Sequence, residues 1–386
     1  MEHFKPENAC MGHYFSRVMG EAMGVKNGAI WKSIRRAFDP YFSYQSAMGF
    51  SEIFTTELRK WIDGMTSQAG QTDGFIVEAT TACTILPFKL IALACYGPAM
   101  TDKQLNRLYN VLPTTSKKEM DTFESEWKEF NLSVMREAKM IYQAVLAGTI
   151  TEAAWLQSLD EILFTNLDVT SAILAFLLIN LSINQAVQSE LRAEILQNSS
   201  RFNEPGTEGS PVENYIRRTD TLLEYTCLES GRLCPAVWFT LPEYTGADID
   251  IGGYRIKAGT NCIIDWARLN TESPLWNPEK RHPGEPEVNG RMFYPQRFQS
   301  MSTTTYRWSM LRFGLGGRQC IGKNFASRIM KQFLLEVLTR YRVELDGARP
   351  VKQWGTINVE LRDDRFTVMP KQNVRFFEVK EEMGKS

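Results

Sequence analysis

With 386 residues, 43% of them hydrophobic and 11% aromatic, the chain can bury a sizeable core, and its length would allow two or three domains. Its formal net charge of −1 excludes a protein that binds nucleic acid over its whole surface. Seven cysteines without a CxxC pair indicate a reducing compartment, and three scattered histidines without paired spacing argue against a zinc or di-iron site.

The first informative segment is GAIWKSIRRAFDPYFS, which begins at residue 28 and predicts a helix. Trp31 and Arg35 are four residues apart and share one face, while Ile30, Ile34 and Phe38 form an apolar stripe. A tryptophan and an arginine on one helix most often serve packing and solvation, so this pair gains meaning only from motifs elsewhere.

The central part of the sequence predicts two apolar helices. One covers residues 76–97 and is expected to break around Pro87, because proline removes a backbone donor and clashes with the preceding turn. The other follows the segment TNLDVTS, residues 165–171, and carries no charge from Val169 to Ser189. Four amide side chains, at positions 180, 184, 185 and 188, favour a buried central helix over a membrane span.

The segment LLEYTCLESGRLCP places Glu229 and Arg232 three residues apart on one face of a helix that Pro235 closes. Charged residues at this spacing usually form a solvated pair worth under about 1 kcal/mol. The later segment FYPQRF, residues 293–298, supplies Arg297 and gives the pair a context.

Short strands and irregular connections are predicted around this helix. The segments IDIGGYRI, CIID, RFTVMP and VRFFEV are typical of strands. Residues 198–213 are polar and contain glycine and proline, which predicts a loop. Residues 273–300 are rich in proline and turn formers, which predicts an irregular stretch.

The most specific signal is FGLGGRQCIG, residues 313–322, which places one cysteine in a glycine-rich loop. Glycines let the backbone pass flat against a large planar ligand, and backbone amides pointing at the sulfur would favour a thiolate. Cys320 is therefore a candidate ligand of haem iron, and Arg318, two residues earlier, is a candidate partner of a haem propionate. Phe325, Ile329, Phe333 and Val337 then recur every four residues, which predicts a helix after the loop.

Two other interpretations compete for this loop. A phosphate-binding loop would need GxGxxG or GxxxxGK[ST], and neither spacing occurs here. A buried structural cysteine is the commoner fate of a single cysteine, but the flanking Phe313, Arg318 and Gly322 argue against it.

Taken together, these motifs resemble the cytochrome P450 monooxygenases, in which this cysteine is the axial iron ligand. The resemblance implies that Cys320 binds iron within the loop that contains Phe313 and Gly314, and that Arg318, Trp31 and Arg35 hold haem propionates. It further implies a structural ion cluster behind the haem. Its expected members are Glu229, Arg232 and Arg297.

The chain departs from the family pattern on the oxygen side of the haem. The family writes A/G-G-x-D/E-T-T/S, whereas Val169 stands here in place of the first threonine and Asn166 in place of the glycine. Asp168 and Thr170 remain candidates for proton supply, and Thr170 or Ser171 could take the role through a small helical rotation. A hydroxyl of the substrate is the alternative.

A second departure from the family pattern follows the helix with the E-x-x-R pair, Glu229 and Arg232. Glu243 stands where an arginine often reaches a propionate, so one haem anchor is expected to be missing. By the same resemblance, residues 236–240 are expected to line the substrate pocket.

The resemblance covers about residues 15–380 and predicts one domain, 1–386, that is mainly α with small β-sheets, a P450-like fold truncated at its N-terminus. Residues 1–26 show no signal or anchor pattern. The resemblance implies a membrane of the endoplasmic reticulum, and the chain by itself would be cytoplasmic.

The predicted function is a fungal, microsomal-type monooxygenase with haem b, which takes electrons from NADPH through a reductase and oxidises a small organic substrate of secondary metabolism. The alternative is an inactive, truncated paralogue. A cationic docking face for the electron donor is a further hypothesis, weighed against an ordinary solvated surface. Its candidate residues are Lys32, Arg35, Arg36, Arg312, Arg318, Lys323, Arg328 and Lys331.

Overall fold

The computed structural model describes the chain between residues 19 and 379, with internal gaps. The described ranges are 19–69, 74–97, 100–101, 103–104, 117–137, 143–200, 211–240, 243–277, 288–347, 353–354, 357–358, 360–361 and 367–379. Within them the chain is mainly helical with small antiparallel sheets, which confirms the predicted fold class.

Fourteen α-helices lie in the described ranges. They are α1 (Gly28–Phe38), α2 (Tyr44–Gly49), α3 (Ser51–Ala69), α4 (Ala79–Tyr96), α5 (Lys117–Glu137), α6 (Gln143–Leu146), α7 (Glu152–Thr165), α8 (Ser171–Ile183), α9 (Gln185–Ser200), α10 (Pro211–Arg217), α11 (Leu222–Leu233), α12 (Trp266–Glu272), α13 (Thr303–Tyr306) and α14 (Lys323–Arg340). A π-helix, Asn166–Thr170, joins α7 to α8. Short 3₁₀ turns are Met23–Val25, Asp39–Phe42, Pro295–Ser300 and Gly316–Arg318.

The strands are short, and all pairs in the described ranges are antiparallel. They are β1 (Phe75–Glu78), β2 (Glu243–Tyr244), β3 (Ile249–Ile251), β4 (Tyr254–Ile256), β5 (Asn261–Cys262), β6 (Tyr341–Leu345), β7 (Gln353–Trp354), β8 (Ile357–Asn358), β9 (Glu360–Leu361), β10 (Pro370–Lys371) and β11 (Asn373–Glu378). The largest sheet has the order β1-β11-β6, with Phe75 opposite Phe376 and Phe376 opposite Val343. The other pairs are β2-β5, β3-β4, β7-β8 and β9-β10.

The chain forms two compact units. Unit 1 comprises Met1–Ser43, Phe88–Leu167 and Leu241–Ile263, and unit 2 comprises Tyr44–Pro87, Asp168–Thr240 and Ile264–Ser386. Cys320 and the charged residues Glu229, Arg232 and Arg297 belong to unit 2, whereas Trp31 and Arg35 belong to unit 1.

Helix α14 lies at the centre of unit 2. The predicted stripe of Phe325, Ile329, Phe333 and Val337 is buried, with no side chain more than 2% exposed. Helix α3 covers part of this stripe, where Phe54 lies edge-on to Phe325 with ring centroids 6.1 Å apart. The apolar spacing therefore predicted both the helix and its buried face.

Two helical segments, Ala79–Tyr96 and Glu152–Ile183, are long and apolar enough to cross a membrane, but about two thirds of each is buried within the protein. The charge-free stretch predicted as one helix forms α8, which ends at Ile183, and the start of α9, and its amide side chains contact other protein elements. Asn180 Nδ2 donates to Ser230 Oγ at 3.0 Å, and Gln185 and Gln188 each donate to the carbonyl of Val343 at 2.8 Å. These polar partners are typical of a core helix, as the sequence predicted.

Unit 1 is built around α7. Phe38 of α1 stacks on Trp155 with ring centroids 4.3 Å apart, and the backbone N–H of Met23 donates to Ser158 Oγ at 2.9 Å. Ile34 and Phe38 are buried, but Ile30 is 60% exposed, so the predicted stripe of α1 is wrong at its first position. Ile30 lies in the first turn of the helix, before the part that meets the core.

Helix α4 does not break at Pro87, contrary to the prediction, although residues 76–78 form a strand instead of helix. In the disturbed turn, Ser171 Oγ donates to the carbonyl of Thr84 at 3.0 Å and supplies a partner from a neighbouring helix. Leu86, Phe88 and the rest of this helix are largely buried. Tertiary packing therefore outweighs the roughly 3 kcal/mol that an interior proline costs.

The predicted loop 198–213 is shorter than expected. Helix α9 continues to Ser200, with Asn198 Nδ2 donating to the carbonyl of Glu194, and α10 begins at Pro211, whose fixed φ suits a first helical position. Residues 201–210 lie outside the described residues. The IDIGGYRI segment, predicted to be strand-like, forms two strands, β3 and β4, which pair with each other.

Candidate functional site

The cysteine loop connects the irregular stretch before it to helix α14. Gly314 and Gly316 have φ angles of 72° and 71°, which favour glycine, and the backbone N–H of Cys320 donates to the carbonyl of Phe313 at 2.8 Å. This hydrogen bond closes the loop. Cys320 is exposed at the resulting turn, so its sulfur is accessible to a ligand.

The side chains of Gln319 and Lys323 stabilise the shape of the loop. Gln319 donates to the carbonyl of Gly314 at 3.2 Å, and Lys323, in the first turn of α14, donates to Gln319 Oε1 at 2.6 Å. A Cβ built on Gly322 would lie 3.9 Å from Cys320 Sγ, at ordinary van der Waals distance.

Other cysteines of the described chain have a different environment. Cys83, Cys227 and Cys234 are buried, and burial raises the pKa of the Cys227 and Cys234 thiols to about 12 and that of Cys83 as well. Such thiols stay protonated and inert near neutral pH. Their burial sets them apart from Cys320, which is exposed.

A fully buried ion cluster lies in unit 2. Glu229 and Arg232 are 0% exposed and Arg297 is 8% exposed. Arg232 binds both carboxylate oxygens of Glu229 at 2.8 Å, and Arg297 Nε donates to Glu229 Oε1 at 2.9 Å. The structure thus brings together the three residues that the sequence motifs paired. Desolvation lowers the pKa of Arg297.

Sequence analysis missed Asn270, which connects this ion cluster to the segment before the cysteine loop. Its carbonyl accepts a hydrogen bond from Arg232 Nη1 at 2.7 Å. Its side chain accepts the backbone N–H of Leu311 at 2.8 Å and donates to the carbonyl of Leu311 at 3.0 Å. Asn270 lies in helix α12, but its partner is 41 residues away, so no local spacing could indicate this role.

The segment that carries Asp168 and Thr170 departs from regular α-helix. Asn166–Thr170 forms a π-helix, and π turns are frequent at functional sites. Thr170 is 5% exposed and Asp168 is half-buried. Ser171 is fully buried and donates its hydroxyl proton to the carbonyl of Thr84. The Ser171 hydroxyl therefore takes part in helix packing.

Next to this segment, small and apolar side chains pack together. Ala172, Ala236 and Met369 form a buried cluster, with Val169 and Ile173 against it. Ala236 is thus an internal residue beside the π-helix, and Phe239, three residues later, is 48% exposed. The range 236–240 therefore contains both a buried and an exposed part.

The remaining predicted residues lie as follows. Arg318 ends the Gly316–Arg318 turn and is half-buried, as is Trp31 on α1. Arg35, on the same helix, donates through Nε to Asp39 Oδ1 at 2.6 Å. Glu243 begins strand β2 opposite Cys262.

Comparison with known proteins identifies the family. The family model described as "Cytochrome P450" matches residues 116–357. A cytochrome P450 monooxygenase of Aspergillus flavus, lepD, is 34% identical over an alignment that covers 90% of this chain and 73% of lepD. The chain belongs to the cytochrome P450 family. It is accordingly a haem-dependent monooxygenase that acts on a small molecule and depends on a redox partner.

Other relatives agree with this assignment. The cytochrome P450 monooxygenase apdB of Emericella nidulans is 32% identical, over 84% of this chain and 72% of apdB, and PUL2 of Kluyveromyces lactis is 28% identical, over 97% and 76%. The crystal structure of the cytochrome P450DA haem domain has a TM-score of 0.73 at 19% identity, over 98% of this chain and 83% of that one. At this identity the likeness shows the P450 fold.

The residues of the P450 cysteine loop fit a haem. The sulfur is exposed, two glycines have φ angles in the left-handed region, and a hydrogen bond closes the loop, as a haem-binding cysteine loop requires. The P450 assignment and this geometry therefore agree, and the buried cysteines described above lack this exposure.

Part of the predicted cationic face is wrong. Arg328 and Lys331, in α14, are only 5% and 6% exposed and pair with Glu213 and Glu224. Helices α10 and α11 supply these acids, so the two cations face the interior of this P450 chain. Among the predicted residues, Lys32 and Arg36 of α1 are exposed.

Proposed function

We propose that the Cys320 thiolate is the axial ligand of the haem iron and that this loop is the reaction centre. The observation that carries the proposal is the exposed sulfur of Cys320. It lies on a loop that the Cys320 N–H closes and in which Gly314 and Gly316 have positive φ angles. A thiolate donates electron density to iron, and this favours cleavage of the O–O bond. When bound, haem supplies the redox chemistry that places one atom of O₂ in the substrate and reduces the other to water.

Three cationic or hydrogen-bonding side chains are proposed to hold the haem propionates. Arg318 belongs to the cysteine loop, and Trp31 and Arg35 lie on one face of α1. Arg35 is paired with Asp39, and this ion pair keeps its guanidinium oriented. With Glu243 in place of a further arginine, haem retention would depend on these three side chains.

For proton supply we propose Thr170 as the hydroxyl and Asp168 as the acid. The π-helix carries both residues and places a buried hydroxyl directly before α8. Ser171, the next residue, packs α8 against α4 through its hydrogen bond to the carbonyl of Thr84. A hydroxyl holds and passes a proton at its Oγ, and the half-buried carboxylate can replace that proton from solvent.

For electron supply we propose NADPH acting through a reductase that docks on cationic side chains. Lys32 and Arg36 are the exposed members of the predicted set, and the internal Arg328 and Lys331 are not part of the docking surface. Charge reversal at Lys32 and Arg36 is expected to slow reduction mainly at low ionic strength, because surface charges steer association.

The proposed substrate is a small organic molecule of fungal secondary metabolism, and the proposed location is the endoplasmic reticulum membrane. Sequence likeness to fungal P450 monooxygenases such as lepD and apdB supports this substrate class. The apolar cluster of Val169, Ile173 and Ala236 beside the π-helix suits an apolar portion of such a substrate.

The reduced, carbon-monoxide-bound absorption spectrum of the haem-loaded chain tests the proposal. A red-shifted thiolate-type Soret band is expected, and it should be lost in Cys320→Ala. Cys262→Ala is the matched control, because Cys262 is also a partly exposed cysteine but lies in strand β5. Failure to take up haem, or a thiolate band that survives Cys320→Ala, would contradict the proposal.

A further inference from the structure

The residue that follows Leu311 has a side chain packed across two helices. Arg312 Nη1 donates to the carbonyl of Cys227 at 3.3 Å, and Nη2 donates to Ser327 Oγ at 3.1 Å. Cys227 lies on α11 and Ser327 on α14. One side chain thus connects the helix of the buried ion cluster with the helix that follows Cys320.

The same guanidinium stacks on the first residue of the cysteine loop. The Arg312 Cζ atom lies 4.6 Å from the centroid of the Phe313 ring, a distance at which a cation is attracted to an aromatic face. The carbonyl of Phe313 accepts the N–H of Cys320. Phe313 is therefore held through its ring while its carbonyl closes the loop.

A glycine on α11 makes room for this arrangement. A Cβ built on Gly231 would lie 2.6 Å from Arg312 Cδ, shorter than real Cβ contacts, and 3.2 Å from Cγ, which is a tight contact. Gly231 lies next to Arg232, so the stem of Arg312 crosses α11 beside the buried ion cluster. The absence of a side chain at position 231 allows this close approach.

We propose that Arg312 is a positioning residue that holds Phe313 and thereby keeps the Cys320 loop closed. Asn270 fixes the backbone of Leu311, and Arg312 fixes the next residue through its side chain. The functional meaning of the inference rests on the proposed role of Cys320 as iron ligand. Its structural content, the closure of the loop, is measurable with or without haem.

Hydrogen exchange of the full-length chain, followed by mass spectrometry with and without haem, tests the closure. Arg312→Met keeps a long side chain but removes both donors and the cation. We expect exchange in the peptide covering residues 313–322 to become at least about tenfold faster, with little change in α8, because local opening follows local contacts. Gly231→Ala should act in the same direction, because its Cβ displaces Arg312 while the charge is retained.

Arg307→Met is the matched control. Arg307 also stacks on an aromatic ring, Trp308, at 4.9 Å, but outside the cysteine loop. The Arg307→Met variant should leave the exchange rate of residues 313–322 unchanged. The proposal would be overturned if Arg312→Met exchanged residues 313–322 at the wild-type rate. It would also be overturned if the exchange rate rose equally throughout the chain.

The haem-loaded variants supply a spectroscopic readout. In Arg312→Met at least about half of the carbon-monoxide-bound thiolate band is expected to convert to the neutral-thiol band, and Arg312→Lys should recover part of it. A wild-type thiolate fraction in Arg312→Met would count against the proposal. If the wild type lacks a thiolate band while Arg312→Met still loosens the loop, the iron-ligand role fails and the positioning role stands.

Discussion

Asn270 holds the backbone of Leu311 from both sides, accepting its N–H at 2.8 Å and donating to its carbonyl at 3.0 Å. Because the carbonyl of Asn270 also binds Arg232, the buried ion cluster is connected by hydrogen bonds to the segment that leads into the cysteine loop. The buried ion cluster can thus stabilise the cysteine loop through Asn270, a residue that belongs to neither of these two motifs.

Replacing Asn270 tests this connection. Asn270→Ala leaves the N–H and carbonyl of Leu311 buried without their side-chain partner, and we expect a loss of about 2–5 kcal/mol in the free energy of unfolding. Chemical denaturation of the variant measures it. Asn261→Ala, at an exposed position in β5, should stay within about 0.5 kcal/mol of the wild type. Equal effects of the two variants would contradict the connection.

The stabilising role of the buried ion cluster can be compared with that of an exposed cluster of one glutamate and two arginines. Glu229→Gln leaves Arg232 and Arg297 as buried cations without a carboxylate, and we expect a cost of about 3–5 kcal/mol. Glu272 also binds two arginines, Arg268 and Arg291, but is 40% exposed. Glu272→Gln should therefore cost under about 1 kcal/mol in the same denaturation experiment. A loss below about 1 kcal/mol in Glu229→Gln would refute the structural role.

The proton-supply proposal predicts a loss of coupling. Thr170→Val and Asp168→Asn should each reduce the product formed per NADPH consumed, by about tenfold or more for Thr170, because proton delivery commonly contributes a factor of about 10²–10⁴. Ser182→Ala is the control, since Ser182 Oγ donates within α8 to the carbonyl of Ile179. Unchanged coupling in both variants would remove Asp168 and Thr170 from the mechanism.

Asp160 predicts how the stability of unit 1 depends on pH. Trp127 Nε1 donates to its carboxyl at 2.7 Å, and burial raises the pKa of Asp160 to about 7. Between about pH 4 and pH 7 the unfolded state loses this proton while the folded state keeps it. The folded state therefore binds more protons, and stability falls as pH rises through this window.

Thermal or chemical unfolding at pH 5 and pH 8 measures the effect. Asp160→Asn still accepts the Trp127 hydrogen bond and cannot ionise. Its free energy of unfolding should therefore decrease less between pH 5 and pH 8, and at pH 8 it should exceed that of the wild type by about 2–4 kcal/mol. Asp250→Asn, at an exposed position in β3, should keep the wild-type slope. Equal slopes for Asp160→Asn and the wild type would show that the carboxyl is not protonated in the folded state near pH 7.

Several errors of the sequence analysis have one cause. Pro87 was expected to break α4, and Arg328 and Lys331 were expected to face solvent, but the helix continues and the cations are buried. Each outcome depends on elements distant in sequence, such as Ser171 beside the Pro87 turn and Glu213 and Glu224 beside α14. Local propensity and charge alone do not contain these partners.

The sequence by itself determined the family, the mainly helical fold and the candidate ligand Cys320, because the loop, the E-x-x-R pair and the apolar periodicities are local patterns with specific physical requirements. Only the tertiary structure decided which polar groups are paired. Asn270 pairs with Leu311, Arg312 with Cys227, and Ser171 with Thr84, and each pairing joins segments that are distant in the chain. A buried polar group must find a partner wherever the fold supplies one, and that place is not fixed by its neighbours in the chain.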